Sequence, residues 1–208
     1  ESSKFDNYLR KEYAQQGKYF AERISWGDGK YAYLSKDIDK ATGKPTPVRY
    51  RSYLKADGSI DWPLENGFVL DSAGNPVTQS ANLKAGQVID RFGNSYGRFT
   101  SPVDNGEKLA FNTRGLPYPE GYQEYHQYEV VKDINKANYE KAYNQLNDMD
   151  KSQLKMDMEE FGFRPEDIYN PQRGEISKIF GQGGGIQIQL GTSVNWYEKL
   201  GFLREVKK

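Results

Sequence analysis

The 208-residue chain contains no cysteine. That removes disulfides, thiolate nucleophiles and every Cys-ligated zinc or iron–sulfur site together. Its one histidine, His126, cannot alone supply a histidine-based metal centre, which draws on two or more. No apolar run reaches the roughly 18 residues of a spanning helix, so no membrane span is expected. Net charge is missing too, because 29 Lys+Arg balance 29 Asp+Glu. A protein that grips nucleic acid over a broad face is basic, so no nucleic-acid partner is expected. A small basic pocket for a phosphorylated ligand stays open. The chain begins Glu-Ser-Ser with neither an initiator Met nor a signal peptide, and is expected to be a piece of something larger. Freedom from cysteine suits a secreted protein that crosses a membrane unfolded.

What the chain does have is aromatic surface. Aromatics are 14% of residues against 36% hydrophobic overall, with 16 Tyr, 10 Phe and 3 Trp. Each such ring buries a large area, so a core is built on aromatics despite lean aliphatics, and wholesale disorder is excluded. Loosely helical spacing over 4–23 predicts a short helix interrupted at Gly17. Asp28-Gly29 and Asp57-Gly58 predict hairpin turns. Lys44-Pro45-Thr46-Pro47 reads as a loop, and Val48 to Leu54 as an edge strand. From Trp62 onward, turn residues recur every eight to twelve positions, the texture of a compact β region. Tyr125 to Lys132 alternates into a strand. Two helices are expected at 136–148 and 151–161, the second capped by Asp150 or Ser152 and closed by Gly162 and Pro165. A Gly-rich loop at 181–185 leads into a strand from Ile186 to Leu190. A last helix, Val194 to Leu200, stops at Gly201. Helices and strands mix rather than alternate, so the class is α+β: a compact twisted antiparallel core.

Four clusters carry candidate chemistry. Arg91 and Arg98 sit among Gly93 and Gly97, where guanidinium can fork onto phosphate and glycine lets backbone come close to a ligand. A hairpin with surface arginines is the plainer reading. Asn112-Thr113-Arg114-Gly115-Leu116-Pro117 is a stiff loop with one arginine. His126 is a general base, a donor to ligand, or a satisfied structural residue. Gly181-Gln182-Gly183-Gly184-Gly185 is neither a phosphate-binding P-loop nor a dinucleotide fingerprint, which require other residues and another element order. It is either a flexible loop or backbone passing close to a ligand, with Gln187 as the first inward side chain after it. Glu159-Glu160 and Glu166-Asp167 read as solvated.

In their order, these pieces resemble the TNT family, named for the tuberculosis necrotizing toxin. The matching text is Trp62-Pro63…Asn66-Gly67-Phe68, then Ile89-Asp90-Arg91-Phe92-Gly93…Gly97-Arg98-Phe99…Ser101-Pro102. It continues with Arg114-Gly115-Leu116-Pro117, Tyr125-His126-Gln127-Tyr128-Glu129-Val130, Gly181 to Gln187, and Leu200-Gly201-Phe202-Leu203-Arg204-Glu205. The resemblance implies a domain over 61–208, with a helical insertion at about 135–178, preceded by an N-terminal helical and hairpin extension, 1–60, that matches nothing nameable. The insertion puts substrate access or an inhibitor contact in doubt.

The resemblance further implies an NAD(P)+ glycohydrolase toxin, secreted and acting in the cytosol of a target cell, with an immunity protein as partner. NAD or NADP is then the substrate, and neither cofactor nor metal is called for. Carried over position by position, Arg91 and Arg114 clamp the pyrophosphate, with Arg98 beside them. Phe99 stacks on nicotinamide, where some members have Tyr. Gln187 holds the nicotinamide ribose, and His126 bonds ligand or water. Gln187, His126 and Arg91 are the catalytic candidates. The leaving nicotinamide departs neutral, so no strong acid is needed; an oxocarbenium-like ribose must be stabilised. Two alternatives stand beside this: a protein ADP-ribosyltransferase, disfavoured because Gln187-Ile188-Gln189 offers no acid, and a non-catalytic binding module of a secreted surface protein.

Overall fold

In a computed structural model that describes residues 3–207, the Ser3 hydroxyl accepts the Asp6 amide at 3.0 Å and starts α1 (Lys4–Gln15). Gly17, at φ 67°, turns the chain out of the helix. Asp28 and Gly29 both have positive φ, 50° and 74°, and join β1 (Arg23–Gly27) to β2 (Lys30–Ile38) as the expected tight hairpin. The next stretch differs from expectation. The proline-rich segment read as a loop is strand β3 (Pro45–Val48), paired with β2 at the edge of a three-stranded sheet, where proline costs no ladder bond. The segment read as an edge strand turns instead through a short 3-10 helix, Arg51–Tyr53.

The larger sheet has seven strands. They are β4 (Gln79–Ser80), β5 (Val88–Phe92), β6 (Phe99–Pro102), β7 (Tyr125–Val130), β8 (Gln172–Glu175), β9 (Ile186–Gln189) and β10 (Leu203–Glu205), in spatial order β10-β7-β5-β6-β9-β8-β4. Every neighbouring pair is antiparallel. Between β7 and β8 run α2 (Lys136–Gln145), α3 (Asp148–Phe161) and α4 (Pro165–Tyr169), and α5 (Val194–Lys199) follows β9. The class is α+β, as expected. The helical stretch is shorter than read, because residues 172–175 leave it to become β8 inside the sheet. The cap of α3 is Asn147, whose side chain accepts the Asp150 amide at 2.8 Å, rather than Asp150 or Ser152. Gly162 closes α3 in the left-handed region at φ 72°.

The helices cover one side of this sheet with aromatic and branched side chains. Tyr128, Ile89 and Ile188 from the strands meet Leu154, Ile168, Tyr197 and Phe202 in one buried cluster. Full burial of each such side chain is worth about 1.5–3 kcal/mol. The Tyr197 hydroxyl donates to the Ile168 carbonyl at 2.6 Å and accepts the Gly191 amide at 3.1 Å, stitching α5 to α4 through the core. The small sheet is joined to the large one by a second cluster, Val48, Ile60 and Phe180. Arg49 adds polar ties, donating to the Leu116 carbonyl at 2.9 Å and to the Phe180 carbonyl at 2.6 Å.

Candidate active site

Around the turn from β5 to β6 opens a cleft of about 820 Å³. Its size suits a dinucleotide, since ligand pockets run from about 300 to 1,000 Å³. Strands β5, β6 and β9 lie side by side and bring Arg91, Phe99 and Gln187 to it, while Trp62 and Asn66 wall one side and the end of α3 another. Arg98 lines it too, its guanidinium carbon 5.4 Å from the Phe99 ring centroid.

Arg91 is held by its own hairpin. Its Nε donates to the Asn94 carbonyl at 2.7 Å and its Nη1 to the Phe99 carbonyl at 3.1 Å. A Cβ on Gly97 would sit 2.0 Å from Nη2, and one on Gly93 would sit 2.6 Å from it. These glycines therefore make room for the arginine itself, not for a ligand's approach. Among the described residues no carboxylate forms an ion pair with Arg91. Burial pulls its pKa below the ordinary arginine value. A half-buried cation without a countercharge is costly unless an anion completes it. Next to it is Tyr118, whose phenol burial pushes up to about 12 against the pull of Arg91.

Gln187 is buried, and its Nε2 donates to the Asn66 carbonyl at 3.0 Å. That bond commits the amide nitrogen to the cleft wall, and Oε1 has no hydrogen-bond partner among the described residues. Glu65 and Asn66 hold φ of 52° and 59°, a left-handed pair that only a constrained turn retains.

Arg114 and His126 are engaged by other protein groups. Arg114 borders the cleft, but its Nη1 and Nη2 fork onto Asp90 at 2.6 and 2.8 Å, and its Nε donates to the Leu109 carbonyl at 3.1 Å. With side-chain exposures of 4% and 0%, this is a closed, neutral pair. In this arrangement Arg114 braces the floor, and its fork is taken by Asp90. His126 is opposite Arg91 in the β5–β7 register yet does not line the cleft. Its Nδ1 is bonded to Glu205 on β10, and Glu124 lies 3.6 Å from Nε2, so it ties the sheet's edge together. The Gly-rich loop is likewise off the cleft. Cβ atoms at Gly181, Gly183 and Gly185 would meet Asn112, Ser177 and Thr113 at 2.4, 2.5 and 2.6 Å, so these glycines serve close packing of loop on loop.

Sequence reading passes over three groups here. Ser177 Oγ and Gln123 Oε1, both of residues in the cleft wall, are buried with no partner among the described residues. Polar atoms in that condition are completed by a ligand or by water. Asp157 of α3 reaches the cleft, where its carboxylate accepts the Trp196 indole N–H at 2.8 Å. No local signal marks any of the three: each is an ordinary polar residue in its segment. No cluster of three or more His, Cys, Asp or Glu that could hold a metal occurs among the described residues.

Residues 82–145 match the family model described as tuberculosis necrotizing toxin. That span holds Arg91, Arg98, Phe99, Arg114 and His126, whereas Gln187 lies beyond it. A conidial surface nicotinamide adenine dinucleotide glycohydrolase of Aspergillus fumigatus is 33% identical over 96 residues, covering 41% of this chain and 38% of that protein. The chain thus spans well under half the length of that relative. The structure of tuberculosis necrotizing toxin complexed with its immunity factor aligns over 82% of this chain and 79% of that one, with a TM-score of 0.45 and 17% identity.

Proposed function

We propose that this chain, whose residues 82–145 carry the tuberculosis necrotizing toxin family pattern, is an NAD(P)+ glycohydrolase. Water and NAD+ give nicotinamide, ADP-ribose and a proton. The C–N bond breaks with its electron pair going to nicotinamide, which leaves neutral. Water then adds to the oxocarbenium-like ribose carbon and loses the proton. The observation that carries this reading is one cleft holding an arginine without an acidic partner among the described residues, Arg91, together with Phe99 and the pinned amide of Gln187.

Each residue has a part that its surroundings support. Arg91 offers its remaining N–H groups to the pyrophosphate, and Arg98 adds a second positive charge. The Phe99 ring packs against nicotinamide. Gln187 Oε1 accepts a ribose hydroxyl, and that bond tightens as the sugar gains positive charge, so it favours the transition state over bound NAD. Because Nε2 is already committed to Asn66, the oxygen need not reorganise during reaction. A toxin's role in a target cell, secretion to reach it, and a cognate immunity protein in the producing cell complete the reading. The family's name supports that part.

The test is to incubate the chain with NAD and a bystander protein, with and without chelator, and to quantify nicotinamide and free ADP-ribose. Equal amounts of the two, unchanged by chelator, are expected. ADP-ribose attached to protein would make it a transferase, and no nicotinamide at all would leave a binding module.

A further inference from the structure

We infer that Asp157, carried by the helical insertion between β7 and β8, receives the adenosine ribose of the substrate and makes the enzyme select NAD over NADP. The inference rests on reading the cleft as an NAD site, and it begins from how differently the two acids of the cleft are treated. Asp90 is neutralised by Arg114. Asp157 is not: one oxygen accepts the Trp196 indole N–H at 2.8 Å, the other accepts the Gln153 amide at 2.8 Å, and no lysine or arginine among the described residues pairs with it. Trp196 is buried in the core, so the carboxylate is aimed by a rigid neighbour. Each oxygen keeps a lone pair for a further donor.

The order of the groups gives Asp157 its station. Gln187 is pinned to the Asn66 turn at one wall. Arg91 lies on β5, its Nε bonded to the Asn94 carbonyl of the β5–β6 turn. That turn is bonded in its own right to the start of α5, Val194 N–H to the Gly97 carbonyl at 2.9 Å and Asn195 N–H to the Ser95 carbonyl at 2.8 Å. The next residue is Trp196, which holds Asp157. A dinucleotide with its nicotinamide ribose at Gln187 and its pyrophosphate at Arg91 therefore directs its second nucleoside toward α3. Two exposed rings, Tyr96 and Phe161, border the cleft and offer faces for a base.

The chemistry at that station is a carboxylate without a countercharge among the described residues. It accepts hydrogen bonds from a ribose diol, and it repels a phosphate on the 2′ oxygen. The cleft's cations without an acidic partner among the described residues, Arg91 and Arg98, lie on β5 and just before β6 instead.

The test measures kcat and KM for NAD and NADP with the unmodified chain and with Asp157→Asn, which keeps the side chain's shape and an oxygen for the Trp196 indole. Asp157→Ser repeats the charge removal with a smaller group should the first variant unfold. The unmodified chain is expected to favour NAD by about tenfold or more in kcat/KM, with the difference in KM. Both variants are expected to raise KM for NAD, lower it for NADP, and bring the ratio to within about threefold of unity. Turnover of both dinucleotides with equal efficiency by the unmodified chain would overturn the inference, as would an unchanged ratio in the folded variants. A fall in kcat alike for both substrates would also overturn it, by placing the acid at the reacting bond. In each of those outcomes NAD is still cleaved and the glycohydrolase reading stands. Nicotinamide from neither substrate would remove that reading itself, and this inference with it.

Discussion

Replacing Arg114 by alanine separates a brace from a ligand clamp. In the parent, the Asp90 carboxylate is fully buried and takes both arms of the Arg114 fork, at 2.6 and 2.8 Å, with the Tyr125 hydroxyl as a third donor at 2.6 Å. Arg114→Ala removes the countercharge and leaves the carboxylate one neutral donor. It also strips the Leu109 carbonyl of the two guanidinium N–H groups that reach it at 2.9 and 3.1 Å. Losing one partner of a buried ion pair costs about 3–5 kcal/mol, because the other charge is stranded. For a chain of this length that is a fall in Tm of roughly 6–20 °C. Adding Asp90→Asn to Arg114→Ala takes the stranded charge away, and the double variant is expected to regain part of the loss. Urea unfolding of the parent, both single variants and the double variant reads these differences directly. An Arg114→Ala protein as stable as the parent, with a raised KM for NAD, would refute the brace and restore the clamp.

Arg91→Ala is expected to lose about one to two orders of magnitude in kcat/KM for NAD, the value of a charge-assisted bond of about 1.5–3 kcal/mol; steady-state kinetics check it, and parental values would remove Arg91 from the site. Gly97→Ala places a Cβ on the Arg91 guanidinium, 2.0 Å from Nη2, so its kinetics should resemble those of Arg91→Ala although position 97 bears no functional group. His126→Gln lies off the cleft and should change kcat/KM by no more than about threefold, its loss appearing in the stability of the β7–β10 edge; a drop of a hundredfold or more would return His126 to the chemistry.

How much of this was legible in the sequence depended on whether the cause was local. The Asp28-Gly29 turn, the strand Ile186–Gln189 and the Ser193-capped helix α5 are set by neighbours in the chain and were readable. Strand β8 was not, since Gln-Arg-Gly-Glu has no apolar residue and becomes a strand only by pairing with β9 and β4. Strand β3 contains two prolines, which lower strand propensity everywhere except at a sheet edge. In the cleft, the sequence singles out residue types but their partners were invisible. Arg114 and Asp90 are 24 residues apart, and nothing in the spacing says that they neutralise each other. Three glycines before a strand carry the same signal whether they make room for a ligand or for Asn112, Ser177 and Thr113. Asp157 resembles any solvated acid on a charged helix until Trp196 is placed beneath it.

The central claim is that Gln187 acts on the ribose as nicotinamide departs, and one comparison bears on it most directly. NAD binding, thermal midpoint and nicotinamide release are measured in the same preparation of Gln187→Ala beside the parent. The expected outcome is a folded protein that binds NAD within about threefold of parental affinity and releases nicotinamide at least about a hundredfold more slowly. A folded Gln187→Ala protein with near-parental release would contradict the account.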